Sequence, residues 1–377
     1  MPNIPLTSIA LTISLCLRVM FALPDSVGMP AVAWSNWVSI EMKTYGDIAY
    51  LVNHSTREAG GWDGYSMGLP GATLPAFQQL NMRRAYYAAV THTDANIGTV
   101  IDALDSTGLR DNTVICFFTD HGWSLGEHGE WAKHTNFELD VHAPWILSMP
   151  SEEPGLLTHG PSNPISDVFT EHVDIMPTLL EAAAGVAIGS CNGTFKEMPN
   201  LCTMGVSRVP LLQPTKPIDG TLHHAAAIRR MQLPANNAAF SQYERPYAGG
   251  PGGAVMDTSW CAMANGEGNS MACTVGYTMV GLYSPDMHRM PAEHRQGRAG
   301  TSNIEYRYTE WVGFNTARTP LTRDWSDVSG IELYVHNGST AELVNLAADP
   351  EFKDVVASFS KRLHAGPTSG GGWGDRT

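Results

Sequence analysis

Basic residues are scarce in this sequence. Its 377 residues include 23 lysines and arginines against 37 aspartates and glutamates, which gives a formal net charge of -14. A protein that binds nucleic acid by neutralising phosphates needs the opposite balance, so the composition argues against a nucleic-acid partner. An acidic protein can still bind an anionic substrate where a metal and a few basic side chains reverse the local field.

Long apolar runs are lacking too. The stretch from Ile9 to Leu17 has the length of a signal-peptide hydrophobic region and is too short to cross a bilayer comfortably. No basic residue precedes it, Arg18 interrupts it and no convincing cleavage site follows. Its role as a signal peptide therefore stays open. No later segment has a transmembrane pattern, and we expect no membrane span.

Cysteines number only six, too few for a small disulfide scaffold, and they lack the paired spacing of a zinc site. Cys191 and Cys202 flank a short loop and would pair readily in an oxidising compartment, and Cys261 and Cys273 could pair around a second loop. Cys116 lies inside an apolar run, and we interpret it as a small core residue.

Three Asn-x-Ser/Thr triplets, at Asn53, Asn192 and Asn337, permit glycosylation, although such triplets also occur by chance. Together with the cysteine pairs they predict a glycoprotein of the secretory pathway, either lysosomal or extracellular.

Residues 115–150 contain the highest concentration of candidate metal-binding and catalytic side chains. An apolar run from Val114 to Phe118 predicts a buried strand of a parallel sheet. Asp120 and His121 follow at its end, where ligands bind in open α/β sheets. The plainer alternative is that Asp120 caps a turn and His121 is a hydrogen-bonded core histidine. The many polar residues of the following loop favour a metal or anion site.

The loop after this pair is rich in hydrogen-bond donors and acceptors and carries one fixed cation. Its polar and aromatic residues are Trp123, Glu127, His128, Glu130, Lys133, His134, Asn136 and His142. Glycines between them let the backbone turn sharply and approach a ligand closely. Such a loop is typical of a functional site.

The segment TDHGWSLGEHGEWAKHTNF resembles the metal-binding segment of type I sulfatases, most closely that of the iduronate-2-sulfatase group. The resemblance implies a divalent cation, usually calcium, held partly by Asp120 and His121. It also implies that Lys133 reaches a sulfate oxygen, with Trp123 and His134 on the substrate side. A carboxylate suits calcium, whereas an imidazole is a less usual ligand for it, so the metal's identity stays open.

The resemblance covers the middle and C-terminal parts of the chain. It implies a partial α/β fold of the alkaline-phosphatase/sulfatase kind, with a sheet sandwiched by helices, followed by a small C-terminal antiparallel sheet and helix. We expect an apolar segment of uncertain role at 1–24, the partial α/β domain at 25–240, the C-terminal subdomain at 241–365 and a disordered tail at 366–377.

Hydrophobic periodicity places the helices and strands of the first domain. Leu80 to Leu104 has apolar residues at helical spacing, and we expect this stripe to pack on the sheet, with Arg83 among the solvated residues. Pro144 to Met149 predicts a second buried strand. Asp174 is expected to cap a helix that Gly185 closes.

The C-terminal part has a different pattern. GYTMVGLYS and NIEYRYTEWVGFN are rich in aromatic and β-branched residues and predict neighbouring antiparallel strands. Apolar residues between Glu351 and His364 then recur at the spacing of an amphipathic helix.

Two elements of the sulfatase pattern are absent from the printed sequence. None of the six cysteines lies in a Cys-x-Pro-x-Arg motif, which in this family supplies the formylglycine nucleophile, and the early Asp-Asp metal pair is also missing. No catalytic nucleophile is identified. We expect the resemblance to begin partway through the family's sequence, without its N-terminal region.

Three functions therefore stay open. The first is a sulfuric ester hydrolase that removes sulfate from sulfated uronic sugars of glycosaminoglycan-like polysaccharides. The second is a catalytically silent relative that binds sulfated glycans or has no activity. The third is a metal-dependent phosphohydrolase of the same clan, which shares the Asp-His-Gly element, but Trp123 and the EHGEWAK run make it the weakest of the three.

Overall fold

The computed structural model describes residues 28, 30, 76–129, 131–133, 135–150, 169–189, 191, 202–209, 238–246, 273–283, 304–315, 322–336 and 341–366. The expected apolar segment 1–24, the three glycosylation triplets, Cys261 and nearly all of the expected tail lie outside these residues. The domain boundaries stay a prediction.

The described residues form four α-helices and eight strands, with short 3-10 turns between them. In chain order these are α1 (Ala76–Ser106), β1 (Ile115–Phe118), β2 (Ser124–Leu125), β3 (Trp131–Ala132), α2 (Glu138–Val141), β4 (Trp145–Ser148), α3 (Ile175–Ala184), β5 (Ala238–Pro246), β6 (Cys273–Tyr283), β7 (Ile304–Asn315), β8 (Thr322–Val335) and α4 (Lys353–Ala365). No helix in this described set is long and apolar enough to cross a membrane.

The largest sheet is antiparallel, with strand order β5-β6-β7-β8. Along β6 and β7 alternate side chains point to one face, because successive residues of a strand face opposite sides. On that face Met279 pairs with Tyr308, and both are fully buried against Phe359 and Leu363 of α4. The predicted antiparallel strands and the last helix are therefore confirmed.

The opposite face of this sheet is buried as well, yet it is polar. Arg307 and Glu332 are each 1% exposed there. Phe137 covers this face, with the Arg307 guanidinium 4.6 Å from the centre of its ring. The Asn136 side-chain amide donates to the Gly276 carbonyl at 2.9 Å. The loop that carries the candidate site therefore rests directly on the C-terminal sheet.

Strands β1 and β4 differ from the prediction. Both strands exist, but they pair antiparallel with each other, and within the described residues they form a two-stranded sheet. Phe118 is 47% exposed and Ile146 56% exposed, so the expected buried parallel strands are wrong for this part of the chain. The reason is that an apolar run predicts a strand without specifying which partners cover it.

Helix α1 is longer than predicted, and its apolar stripe is packed only in part. Val90 and Val100 are 50% and 68% exposed in the described structure, so this part of the stripe does not make the expected contact with a sheet. Arg83 also departs from the expected solvated role. It is buried, and its Nε donates to the Leu125 carbonyl at 2.9 Å. Helix periodicity fixes which residues share a face, but the partner of that face is a tertiary property.

Helix α3 ends as predicted and begins differently. Gly185 lies in the left-handed region with φ of 66°, the conformation a helix-terminating glycine adopts. Asp174 precedes the helix but makes no side-chain cap. Its carboxylate instead accepts from the Val206 amide at 2.7 Å and from the Arg208 guanidinium, in a buried ion pair. A long-range partner therefore competes successfully with the local cap.

Candidate cation and anion site

Three of the predicted site residues meet at the tip of β1. Asp120 Oδ2 lies 3.2 Å from His121 Nε2, and Lys133 Nζ lies 3.0 Å from the same ring nitrogen. Lys133 comes from the turn after β3, which pairs with β2 and folds back over the strand tip. The side chains that the sequence places twelve positions apart therefore share one small volume.

The His121 ring is held in one tautomer by its other nitrogen. Nδ1 lies 2.7 Å from the Gly122 carbonyl, which can only accept, so Nδ1 carries the proton. Nε2 then faces Asp120 and Lys133. A backbone carbonyl that orients a ring in this way is a common support for a metal-binding histidine.

Gly122 allows the site to form. A Cβ atom at this position would lie 1.8 Å from the Leu139 carbonyl oxygen, so no other residue fits without moving α2. The Gly122 amide also donates to the Asp140 carbonyl at 2.7 Å. Close backbone packing therefore locks the strand tip against α2.

Asp140 holds the loop on both sides of Lys133, a role that the sequence reading missed. Its Oδ1 accepts from the Ser124 hydroxyl and its Oδ2 from the Thr135 hydroxyl, both at 2.7 Å. Asp140 is 3% exposed. A buried carboxylate with two charge-assisted hydrogen bonds is a strong local anchor. An aspartate inside a short helix gives no sequence signal of this role.

Trp123 lies beside the imidazole. Its ring stacks on His121 with centroids 6.4 Å apart and on Tyr86 of α1 with centroids 6.2 Å apart. Trp123 therefore braces the His121 ring between the strand tip and α1. His134, the other residue predicted on the substrate side, lies outside the described residues.

A cavity of about 680 Å³ opens next to these side chains. Asp120, His121 and Lys133 line it, together with β5 residues from Ala239 to Tyr243. Its volume lies within the range of small-molecule sites.

The cavity wall carries titratable groups that the sequence reading did not select. Burial raises the pKa of Glu171 to about 7, while its hydrogen bond from the Phe240 amide opposes that rise. His142 lies 2.6 Å from Glu138, and this hydrogen bond raises the pKa of the imidazole. The His172 ring lies 2.7 Å from the Thr119 carbonyl. Of these groups, Glu171 therefore changes its protonation state near neutral pH.

Beside the cavity, carboxylates, an imidazole and a guanidinium form a buried network. Glu342 Oε1 lies 2.9 Å from His336 Nε2 and also accepts from Arg307 Nε. Burial alone would lower the pKa of His336, but hydrogen bonds from its ring to the Glu305 and Glu342 carboxylates raise it to about 9. This network joins the loop to the sheet.

Comparison with known proteins points to one class. Residues 43–186 match the sulfatase family model. The chain is 26% identical over 343 residues to the iduronate 2-sulfatase of Homo sapiens, covering 88% of this chain and 52% of that protein. It is 28% identical over 352 residues to the iduronate 2-sulfatase of Mus musculus, covering 89% and 53%.

Two further likenesses cover different extents of the chain. The choline-sulfatase of Rhizobium meliloti is 34% identical over 145 residues, which is 38% of this chain and 25% of that protein. A solved structure of BT4656 with its substrate D-glucosamine-2-N,6-O-disulfate aligns with a TM-score of 0.40 at 18% identity, covering 86% of this chain and 48% of that one.

These matches confirm the predicted resemblance to the type I sulfatase family, whose members are sulfuric ester hydrolases. Among the relatives, the iduronate 2-sulfatases match it over most of its length. The family match also supports a partial α/β fold of the alkaline-phosphatase/sulfatase kind. The chain spans about half the length of these two relatives.

Proposed function

We propose that the protein to which this chain belongs is a sulfuric ester hydrolase of the iduronate-2-sulfatase type. Its substrate is a sulfated uronic sugar of a glycosaminoglycan-like polysaccharide, and its cofactor is a divalent cation, Ca²⁺. Within it, this chain supplies the segment that binds the cation and the sulfate. The observation that supports the proposal is the meeting of Asp120, His121 and Lys133 in the lining of one cavity.

Asp120 and His121 can supply part of the ligand set of a cation. Two ligands of one Ca²⁺ or Zn²⁺ ion lie about 3 Å apart when the bonds are of ordinary length, and Asp120 Oδ2 and His121 Nε2 are separated by 3.2 Å. Asp120 is 82% exposed at its side chain, so its carboxylate can turn toward an ion without losing buried contacts. A bound divalent cation would draw negative charge from the sulfate oxygens.

Lys133 is suited to bind the anion. An ammonium group has three donors and no acceptor, so Lys133 can keep one hydrogen bond in the loop while donating to a sulfate oxygen. Its present partner is His121 Nε2, the nitrogen that a cation would take. When the cation binds, Lys133 must leave this nitrogen, and a sulfate group then replaces the lost partner.

Binding measurements on the recombinant chain test the proposal. Calorimetry with a sulfated uronide disaccharide and with free sulfate, in Ca²⁺, is expected to show saturable binding that Lys133→Gln and Asp120→Asn weaken at least tenfold. Lys361→Gln is the matched control, because Lys361 is an exposed lysine on α4. Equal affinities in the wild type, Lys133→Gln and Lys361→Gln would refute the assignment.

Activity assays separate the competing functions. Release of sulfate from the uronide or from an aryl sulfate, lost in Asp120→Asn, supports a hydrolase. A silent sulfated-glycan binder is a second candidate, favoured by the absence of a Cys-x-Pro-x-Arg motif from the printed sequence. It predicts binding without turnover. Faster turnover of a phosphate monoester than of the sulfates would favour a phosphohydrolase.

Location in the secretory pathway is part of the proposal. Cys191 and Cys202 form a disulfide, which agrees with an oxidising compartment. Cys116 is the free cysteine among the described residues and is half-buried. Glycosylation at Asn53, Asn192 or Asn337 is proposed on the sequence triplets alone, and mass spectrometry of the secreted protein tests it.

A further inference from the structure

Two carboxylates and an imidazole from three different elements meet at the cavity wall. Glu138 begins α2, Glu305 lies in β7 and His336 follows β8. Their potential ligand atoms all lie within 4.8 Å of one another, and all three residues are buried. None of them belongs to the Asp120, His121 and Lys133 site, although both sets reach the same cavity.

The imidazole is oriented by a fourth residue. His336 Nδ1 faces Glu305 Oε1 at 3.1 Å, while Nε2 faces Glu342 Oε1 at 2.9 Å. Glu342 itself is fixed by Arg307 and by the Glu138 amide, which donates to Glu342 Oε2 at 2.9 Å. A histidine that binds a metal through one nitrogen and donates the other N–H to a carboxylate is the usual arrangement at such centres.

The local charge also favours a cation. Glu138, Glu305 and Glu342 bring three carboxylates into a buried volume, where Arg307 pairs with Glu342 and the His336 imidazole lies between Glu305 and Glu342. Buried carboxylates are stable only when they are paired, protonated or bound to a metal. A divalent ion that replaces the proton on His336 Nδ1 would add positive charge beside Glu138 and Glu305.

An ion can reach this cluster. Glu138 and Glu305 line the cavity wall, and so does His142, whose ring lies 2.6 Å from Glu138. Cavity water can then supply the remaining ligand. A site with two carboxylates, one imidazole and one open position accessible to solvent suits Zn²⁺, which is bound by nitrogen and oxygen ligands at four positions.

We propose that Glu138, Glu305 and His336 form a second cation site, distinct from the one at the strand tip, that takes Zn²⁺ or a similar transition-metal ion. The site links α2, which packs against Gly122, to the C-terminal sheet. A bound ion therefore stiffens the support of the candidate active site. This proposal does not depend on sulfatase activity.

The test uses the full chain after treatment with a chelator. Calorimetric titration with Zn²⁺ is expected to show one tight site that persists in the Asp120→Asn/His121→Gln double variant and weakens at least tenfold in Glu305→Gln. Glutamine has nearly the same shape and retains a hydrogen-bond acceptor for His336. His92→Gln is the matched control, because His92 is exposed on α1 and the chain has 14 histidines that could bind zinc weakly.

Co²⁺ provides a second measurement, which does not need the Glu305→Gln variant to fold. In the Asp120→Asn/His121→Gln variant, Co²⁺ should give the visible absorption of a four-coordinate ion, and its X-ray absorption should show one imidazole ligand. Loss of tight Zn²⁺ binding in that double variant, or equal affinity in folded Glu305→Gln and the wild type, would overturn the proposal. A six-coordinate Co²⁺ spectrum without imidazole would do the same.

Discussion

Lys133 Nζ lies 3.0 Å from His121 Nε2, so an ammonium group occupies the position from which a cation would approach the imidazole. Both groups come from one loop, whose ends are held by the buried carboxylate of Asp140. Without an anion, Lys133 therefore opposes cation binding at His121. Once a cation has displaced Lys133 from His121, the lysine can assist anion binding. This relationship gives the site two ligands that depend on each other.

Replacing Lys133 is expected to separate these two effects. Lys133→Met removes the positive charge and the donor to His121 while retaining the length of the side chain. We predict that Ca²⁺ or Mn²⁺ binds this variant more tightly than the wild type, by about three- to tenfold, because repulsion near the site is lost. Sulfate affinity should fall at least tenfold. Calorimetric titration of each ligand checks both directions, and weaker cation binding in Lys133→Met would contradict the geometry.

Gly122 gives a test of the backbone contact behind the site. In Gly122→Ala the new methyl group would clash with the Leu139 carbonyl, so α2 must move, and we expect a loss of about 2–4 kcal/mol in the free energy of unfolding. The matched control is Gly98→Ala in α1, where a methyl group meets nothing within 4 Å. That change should stabilise the protein by about 0.5–1 kcal/mol, because alanine favours a helix over glycine.

Urea denaturation of the two glycine variants measures both effects. Sulfate binding should weaken in Gly122→Ala and stay unchanged in Gly98→Ala. If Gly122→Ala is as stable as the wild type, the close packing of the strand tip on α2 is not what positions His121.

The raised pKa of Glu171 predicts one part of the pH dependence of stability. Burial raises the pKa of this carboxyl to about 7 in the folded protein, above its ordinary 4.5. The folded state therefore holds the proton more tightly, and stability from this group is present below pH 4.5 and is lost as pH rises to 7. Glu171→Gln, a neutral mimic, should be more stable than the wild type at pH 8 by roughly 1–3 kcal/mol.

At pH 4.5 Glu171→Gln and the wild type should differ by less than about 0.5 kcal/mol, since the carboxyl is then protonated in the folded wild type and about half protonated in the unfolded chain. Chemical denaturation at the two pH values gives the comparison. A difference that is the same at pH 4.5 and pH 8 would show that Glu171 does not titrate in this range.

For His128 we predict that stability changes with pH in the opposite direction. Burial lowers the pKa of this imidazole from 6.5 to about 4, with Arg307 adding to the effect and Glu342 opposing it. The unfolded chain then binds a proton more readily, so stability falls as pH decreases from 6.5 toward 4. His128→Asn should flatten this fall. Asparagine is the matched replacement because His128 has φ of 57°, a conformation that asparagine tolerates well.

The measurement for His128 is the free energy of unfolding of both proteins at steps between pH 4 and pH 7. The wild type should lose on the order of 3 kcal/mol more than His128→Asn across this range. Parallel curves would mean that the buried imidazole is not held neutral by its surroundings.

Local patterns in the sequence predict some of these features well. The meeting of Asp120, His121 and Lys133 follows from a dipeptide at a strand end and from the resemblance of the whole segment. Gly185 predicts the end of α3 because a left-handed residue is needed there. The aromatic and β-branched content of β6 and β7 predicts neighbouring antiparallel strands because such residues pack well on a pleated surface.

Features that depend on distant partners are not predictable in this way. Arg83 has the spacing of a solvated residue, yet it donates to a carbonyl 42 positions away. Asp174 has the position of a helix cap, yet Arg208 takes its carboxylate. Glu305 and His336 come together only through strand register, 31 positions apart. The partners that decide these roles belong to the tertiary fold, and no local pattern encodes them.

The most direct test of the central claim is the affinity of the chain for a sulfated uronide disaccharide with and without Ca²⁺. If Asp120, His121 and Lys133 bind one cation and one sulfate together, Ca²⁺ should raise the disaccharide affinity at least fivefold, and the disaccharide should raise Ca²⁺ affinity by the same factor. In His121→Gln this coupling should disappear. Equal disaccharide affinity with and without Ca²⁺ in the wild type would contradict the claim.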